Sequence, residues 1–492
     1  MSQTRPSTGF HERRTKRASE AREDGVGACI PKRYVFQQRR QERFDNRSRR
    51  NQEQLTRDRF RGWVVGLHKN EREVIMLTIT INTARRFILG KQGLWPGRRW
   101  RGIEGAEQAM RTMEYLQLDP LHVIARSQDI LLHSRVLDYT PGMWEDLAYQ
   151  QRTFFDWGGW LAVRPIDELP YWRVVMRRER DGDLRIRRMA RDYADVIDEM
   201  RAILRERGTV SNRDFAMATR TRTQNYRGRK DSALALYYLW RTGEVMTHHR
   251  KNFERVYALT ETVAPAHLMG ESDEAEANRF LIKKDISFSG LARPGWVAES
   301  FRGHGESNRA AKKLLGTMVA DGDLIEVQVD GWKAVHYALG SDAAVLHDVS
   351  AGRIPKVWTP LETSTTEEVV FLAPLDHVSA RGRAKVLFGF DYVWEVYKPE
   401  HQRKFGYYTL PILWGEQLVA RFDSKLDRTT NTFVILGLWL ENEALGNNEA
   451  FAEALAGGLA RFVRFLGAST LDATAIREPL LRGRACSSQE IC

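Results

Sequence analysis

The chain has 492 residues, enough for several domains with cores of their own. Its composition is that of a globular protein, with 42% apolar residues and 14 Trp, and no run of roughly eighteen apolar residues could serve as a transmembrane helix. The formal net charge is +12, but nine of those charges fall in residues 1–75, where 19 Lys/Arg face 10 Asp/Glu, so the basic balance does not by itself make this a nucleic-acid protein.

Residues 1–75 are polar, poor in aliphatics and rich in arginine (RRTKR, QQRRQERFDNRSRR), and read as a basic disordered extension. The extension either adds non-specific nucleic-acid affinity or is a solvated stretch upstream of a translation start at Met76. It lacks the apolar core of a signal peptide. Cys29, Cys486 and Cys492 lie near the ends without metal-ligand spacing, which points to a reducing compartment. The 12 histidines are scattered, with no His-Glu-x-x-His pair and no Cys/His cluster, so no metal site is expected. No phosphate-binding glycine loop and no Gly-x-Ser-x-Gly elbow is found.

Residues 76–178 read as mainly helical, with apolar residues at helical spacing over Ala84–Leu94 and Ile103–Leu116. There follows Gln117-Leu118-Asp119-Pro120. Proline favours the first helical position and aspartate the cap before it, so Asp119 is expected to cap a helix from Pro120 to about Arg126. Gln117 then lies in extended chain, on the same side as Asp119 and opposite Leu118. A capping aspartate beside an ordinary glutamine explains the pattern. So does a catalytic carboxylate, since a helix start holds an anion in place.

Two later segments resemble each other: "ALALYYLWRTGEVMTHHRKNFERVYAL", ending at Leu259, and "AAKKLLGTMVADGDLIEVQVDGWKAVHYAL", ending at Leu339. Each reads as a helix stopped by Gly243 or Gly322, then a hairpin. With the helix Ala194–Arg207 and a short helix capped by Ser211 or Asn212, this is the order of a winged helix. Two such units are assigned, over 179–270 and 271–345, with 76–178 as a helical or modified winged-helix domain. From about Thr366 the chain turns to β-rich apolar runs, among them a hairpin turning at Gly415-Glu416. A helix over Asn448–Gly467 closes a β-barrel-like domain spanning 346–475, and 476–492 is expected to be a flexible tail. The expected class is α+β: tandem winged-helix (helix-turn-helix) modules with a C-terminal β-barrel-like domain.

With these elements placed, "LAPLDHVSARGRAKVLFGFDYVWEVY", "RKFGYYTLPILWGEQLVARFDSKLDR" and the Gln117-Leu118-Asp119 motif resemble the AlkZ/YcaQ-type DNA glycosylases, in the branch whose motif ends in aspartate. The resemblance runs from about Thr80 to about Glu441 and includes "VIARSQDILLHSR", with Arg126 and Arg135. It departs at Gly159 and Trp160, which stand where the family has His-Ala, and at Gln128, where histidine is frequent. The resemblance implies a monofunctional glycosylase that hydrolyses the N-glycosidic bond of N7-alkylated purines and unhooks interstrand crosslinks, without metal or cofactor. The expected partner is damaged or crosslinked double-stranded DNA, and the expected setting is the bacterial cytoplasm, nucleoid-associated, as a monomer with no membrane contact.

Asp119 would stabilise the oxocarbenium-like sugar and accept a proton from water, and Gln117 would orient the water or touch the leaving base. A crosslinked base cannot swing into a deep pocket, so the site is expected on an open rim. A carboxylate found buried, or turned away from the basic surface, would argue for a DNA-gripping scaffold alone. Expected phosphate contacts are Arg126, the loop residues Arg227, Arg229 and Lys230, and the first wing tip, His248, His249, Arg250 and Lys251. Trp157 and Trp160 read as packing residues, with base wedging as the alternative. The competing function is a non-catalytic tandem winged-helix DNA-binding protein or transcriptional regulator. A nuclease is disfavoured by the lack of a carboxylate cluster for magnesium.

Overall fold

The computed structural model describes residues 76–158, 161–215, 231–303 and 307–487, and its class is α+β. Strand β1 (Met76–Ile79) leads into helix α1 (Ile81–Lys91), whose start is fixed by Thr80 accepting from the Thr83 amide at 3.1 Å. After β2 (Trp100–Arg101), α2 (Gly102–Thr112) ends four residues short of the expected Leu116. Glu114 takes a left-handed φ of 67°, which breaks the helix and turns the chain into β3 (Leu116–Gln117). Helix α3 (Ser127–His133) and strands β4 (Val136–Leu137), β5 (Phe154–Trp157) and β6 (Ala162–Pro165) follow. The strand order β3-β6-β5 makes a small antiparallel sheet, with Gln117 opposite Ala162. This region is therefore less helical than its periodicity suggests.

Helices α4 (Leu169–Gly182) and α5 (Leu184–Asp192) precede the first repeated unit. That unit comprises α6 (Ala194–Arg207), β7 (Thr209–Ser211), a short 3-10 turn capped reciprocally by Ser211 and Asp214, α7 (Asp231–Arg241), and the hairpin β8 (Val245–Lys251) and β9 (Glu254–Leu259). β7 pairs with β9, giving a three-stranded sheet. The second unit has α8 (Glu274–Ser289), α9 (Pro294–Gly303), α10 (Asn308–Ala320) and the hairpin β10 (Leu324–Val329) and β11 (His336–Leu339). Here β1 adds to β10 in parallel register. Gly243 and Gly322 stop α7 and α10 at φ of 79° and 80°, values a side chain would disfavour.

After α11 (Ala343–Ser350), the C-terminal part runs β12 (Val370–Phe371), α12 (Arg383–Phe388), β13 (Leu410–Trp414), β14 (Gln417–Asp427), β15 (Thr432–Leu440), α13 (Glu449–Leu466), β16 (Thr470–Asp472) and α14 (Pro479–Ser487). The sheet order is β12-β13-β14-β15-β16, an open five-stranded sheet rather than a closed barrel. Helix α13, capped by Asn448, covers it: Phe462 packs ring to ring on Phe371 and Phe433. The expected flexible tail is instead helical to Ser487, because Leu481 and Ala485, one turn apart, are buried on one face of α14.

The segment bearing the Gln-Leu-Asp motif is divided between two cores. Tyr115, Phe155, Trp157 and Trp172 pack with the first unit, whereas Phe87, Ile88 and Leu89 pack with the C-terminal sheet. A fully buried pair also ties it to the C-terminal half: Arg135 donates to both oxygens of Asp376, at 2.7 and 3.1 Å. No helix among the described residues is long and apolar enough to cross a membrane.

Candidate active site

The expected helix over Pro120–Arg126 is absent. The chain between β3 and α3 is an irregular turn, and helix begins only at Ser127. Asp119 caps this turn rather than a helix: its Oδ1 accepts the Leu121 amide at 2.7 Å. Its own amide donates to Oε1 of the fully buried Gln128 at 3.0 Å. No helix dipole therefore holds the carboxylate. Asp119 is only 8% exposed, recessed below the surface rather than standing on the expected rim, which as burial alone weighs toward the scaffold reading. Burial pushes its pKa up to about 6, against the pull of the Leu121 hydrogen bond. Oδ2 takes no hydrogen bond from any described residue, yet it is not among the sealed, unpaired polar atoms. One oxygen is thus fixed and the other is left for water or substrate.

Gln117 is half-buried in β3, between the buried Leu116 and Leu118. Its Oε1 accepts from Arg381 Nη2 at 2.7 Å, a contact between residues 264 positions apart. The turn from 118 to 126 is gripped from two sides. On one, the Arg126 guanidinium lies 4.7 Å from the ring of Phe253, at the β8–β9 turn. On the other, Tyr408 reaches the Ala125 carbonyl at 3.4 Å, and Arg428 reaches the carbonyls of His122 and Val123, also at 3.4 Å. A cleft of about 390 Å³ opens beside the turn, lined by Ala125, Arg126, Asp129, Glu145 and Arg428 among others. Asp119 is not part of its wall. Burial, then Arg126 and Arg428, lower the His122 pKa, so this imidazole is neutral at pH 7.

The expected phosphate contacts fare differently. Arg250 is turned inward, with its side chain 4% exposed; it pairs with the wholly buried Asp156 and donates to the Tyr149 hydroxyl at 3.1 Å. It is a strut between the first hairpin and β5, and its guanidinium is not a surface cation. His248 and His249 are half-buried, with Nδ1 atoms 2.8 Å apart. Burial, followed by Arg152, lowers both pKa values, so the pair adds no charge at pH 7. Lys251 is exposed. Arg227, Arg229 and Lys230 lie outside the described residues, as do Gly159 and Trp160. Trp157 is buried and donates to the Trp240 carbonyl at 2.9 Å, which makes it a packing residue. Among the described residues, no group of His, Cys, Asp or Glu is arranged to hold a metal ion.

Gln128, Arg381, Tyr408 and Arg428 were not singled out as site residues by motif reasoning. In the sequence, Gln128 stands out only as a departure from a frequent histidine. The other three arrive from the C-terminal half, and nothing in their local sequence names the turn they hold.

A family model described as DNA glycosylase AlkZ-like matches residues 110–465. Among solved structures, the Streptomyces sahachiroi DNA glycosylase AlkZ aligns with a TM-score of 0.54 at 16% identity, covering 82% of this chain and 100% of that one. The family match contains the 117–119 motif and strands β12 to β15 of the C-terminal sheet.

Proposed function

The chain belongs to the AlkZ-like DNA glycosylase family, and from that premise we propose that Asp119 is the carboxylate that drives hydrolysis of the N-glycosidic bond of N7-alkylated purines, crosslinked ones included. The observation that carries this reading is the divided role of its two oxygens: Oδ1 is tied into the turn, while Oδ2 is unclaimed. As the bond to the base lengthens, the deoxyribose becomes oxocarbenium-like and positive. A carboxylate already desolvated and fixed stabilises that charge without reorganising at the moment of reaction. With a pKa of about 6, Asp119 is mostly ionised at pH 7 and still basic enough to take a proton from the attacking water. An N7-alkylated purine is cationic and departs without a general acid. No lysine is assigned as a nucleophile, so the reaction is read as monofunctional hydrolysis.

The recess of Asp119 narrows the geometry. Because Asp119 is recessed rather than on the expected open rim, we read the sugar, and not the base, as the group that reaches its unclaimed Oδ2 when the purine is tethered to both strands. We read the two helix–hairpin units as winged helices that hold duplex DNA, with Arg126 and Lys251 at phosphates near the site.

The test uses duplexes carrying N7-methylguanine or a nitrogen-mustard crosslink. Wild-type protein is expected to release the base or unhook the strands. Asp119→Asn, which keeps an acceptor for the Leu121 amide, should bind DNA normally with release reduced by about 10³-fold or more. Undiminished release by that variant would remove Asp119 from the chemistry.

A further inference from the structure

Gln117 sits beside the reacting carboxylate in sequence, but a glutamine amide has two unlike ends, and sequence cannot say which faces the substrate. Arg381 decides it. A guanidinium offers only donors, so the atom facing Arg381 must be the amide oxygen. The reverse orientation would set two donors against each other. With Oε1 occupied at 2.7 Å, the NH2 group is the end left over, and it donates to no described residue.

The arginine is held for this task. Arg381 has a left-handed φ of 55° and Gly382 follows at 80°; the first is an unfavourable conformation for a non-glycine residue, and only glycine takes the second without strain. Both flanks of this turn are anchored. Asp376 is locked by Arg135, and Arg383 donates to the Ser289 hydroxyl and carbonyl, each at 2.9 Å. An exposed arginine on a tethered, strained turn is presented in one place rather than left to sweep through solvent.

We propose that Arg381 is a positioning residue: it fixes the Gln117 amide so that Gln117 acts as a hydrogen-bond donor in the site. This rests on the glycosylase reading above and refines it. Gln117 then turns its NH2 group, rather than its oxygen, toward the substrate. It donates to an acceptor on the leaving base, where electron density grows as the glycosidic bond breaks.

A double-mutant cycle under single-turnover conditions tests this on an N7-methylguanine duplex. Arg381→Met is expected to slow release by about 10- to 100-fold with DNA affinity changed less than about threefold, and to have little further effect when Gln117 is already alanine. Arg381→Lys, which restores one donor, should recover part of the rate. Independent, multiplying effects of the two substitutions would overturn the proposal, because Arg381 would then act on DNA directly. Should wild-type protein release no base, the substrate reading fails, and Arg381 is judged separately from the ¹⁵N resonance of the Gln117 side-chain amide. That resonance should shift and its hydrogen exchange accelerate in Arg381→Met; an unmoved resonance rejects the orienting role.

Discussion

The two helix–hairpin units share an element order and differ in what they do with their third helix. In the first, α7 buries Leu234, Ala235, Leu236, Tyr238, Leu239, Trp240 and Arg241, so nearly its whole circumference is packed. Its one arginine pairs with Glu179. In the second, α10 buries only Ala311, Leu315 and Met318, a single stripe. The opposite face carries Arg309, Lys312, Lys313, Gly316 and Thr317, all exposed, and none of its three cations pairs with a carboxylate among the described residues. A helix packed all round supports something, whereas one with a bare basic face is open to a polyanion. The hairpins follow the same division. The β8–β9 hairpin is bound to the segment bearing the Gln-Leu-Asp motif through Arg250–Asp156, through Arg152 to the His248 carbonyl, and through Phe253 under Arg126. The β10–β11 hairpin meets β1 instead. One repeated design has thus yielded a buttress for the motif segment and a helix with a bare basic face.

The largest expected effect comes from cutting the buttress. Arg250→Met strands Asp156, which is wholly buried, without its chief partner, and breaking a buried pair from one side costs about 3–5 kcal/mol. Hydrogen exchange should rise in β8, β9 and the turn 118–126 while β10 and β11 keep their protection. Activity should fall because the turn bearing Asp119 loses its support. Uniform loss of protection in both hairpins would mean the two units are one cooperative block, and the contrast between them would lapse.

That contrast was only partly legible in the sequence. Periodicity and punctuation are local, so the helix Ala194–Arg207, the stops at Gly243 and Gly322, the turn at Gly415 and the Asn448 cap could all be read from neighbouring residues. The motif turn could not. Asp119-Pro120 suits a helix cap and a side-chain-capped turn equally, and the choice is made by Tyr408 and Arg428, some three hundred positions away. Arg250 turns inward for a similarly non-local reason: the register of β8 shifts between Thr247 and His249, and the partner that draws the side chain in is Asp156, 94 positions away. Arg381 was invisible as a site residue because its meaning lies in Gln117. The spacing of Leu481 and Ala485 did offer a signal for a terminal helix.

A smaller effect of the opposite sign is expected at the site itself. The Asp119 pKa, about 6 when folded against an ordinary 3.8, means the folded state holds that proton more tightly than the unfolded chain does. Stability from this group is therefore full below about pH 4, falls as pH rises through 4 to 6, and is absent above it. The difference corresponds to roughly 3 kcal/mol. Asp119→Asn should be more stable than wild type at pH 7–8 and nearly equal to it at pH 4, by denaturant melts at each pH. Because the turn abuts Phe253, the gain should register as protection of β8 and β9 rather than of β10 and β11. An unchanged pH profile would show that the carboxylate is better solvated than its recess implies.

The gentlest perturbation tests the other half of the comparison. Arg309, Lys312 and Lys313 are exposed, so replacing all three with glutamine should leave the fold and its melting temperature unchanged within error. If the bare face of α10 lies on phosphates, each lost contact removes about 0.9 from the slope of log affinity against log salt, or two to three in total for the triple variant. Affinity at low salt should drop, while the difference from wild type narrows as salt rises. Single-turnover release at saturating protein should be unaffected, since α10 would hold the duplex without touching the reacting bond. An unaltered salt slope would mean that α10 faces solvent in the complex, and the duplex would have to be gripped elsewhere.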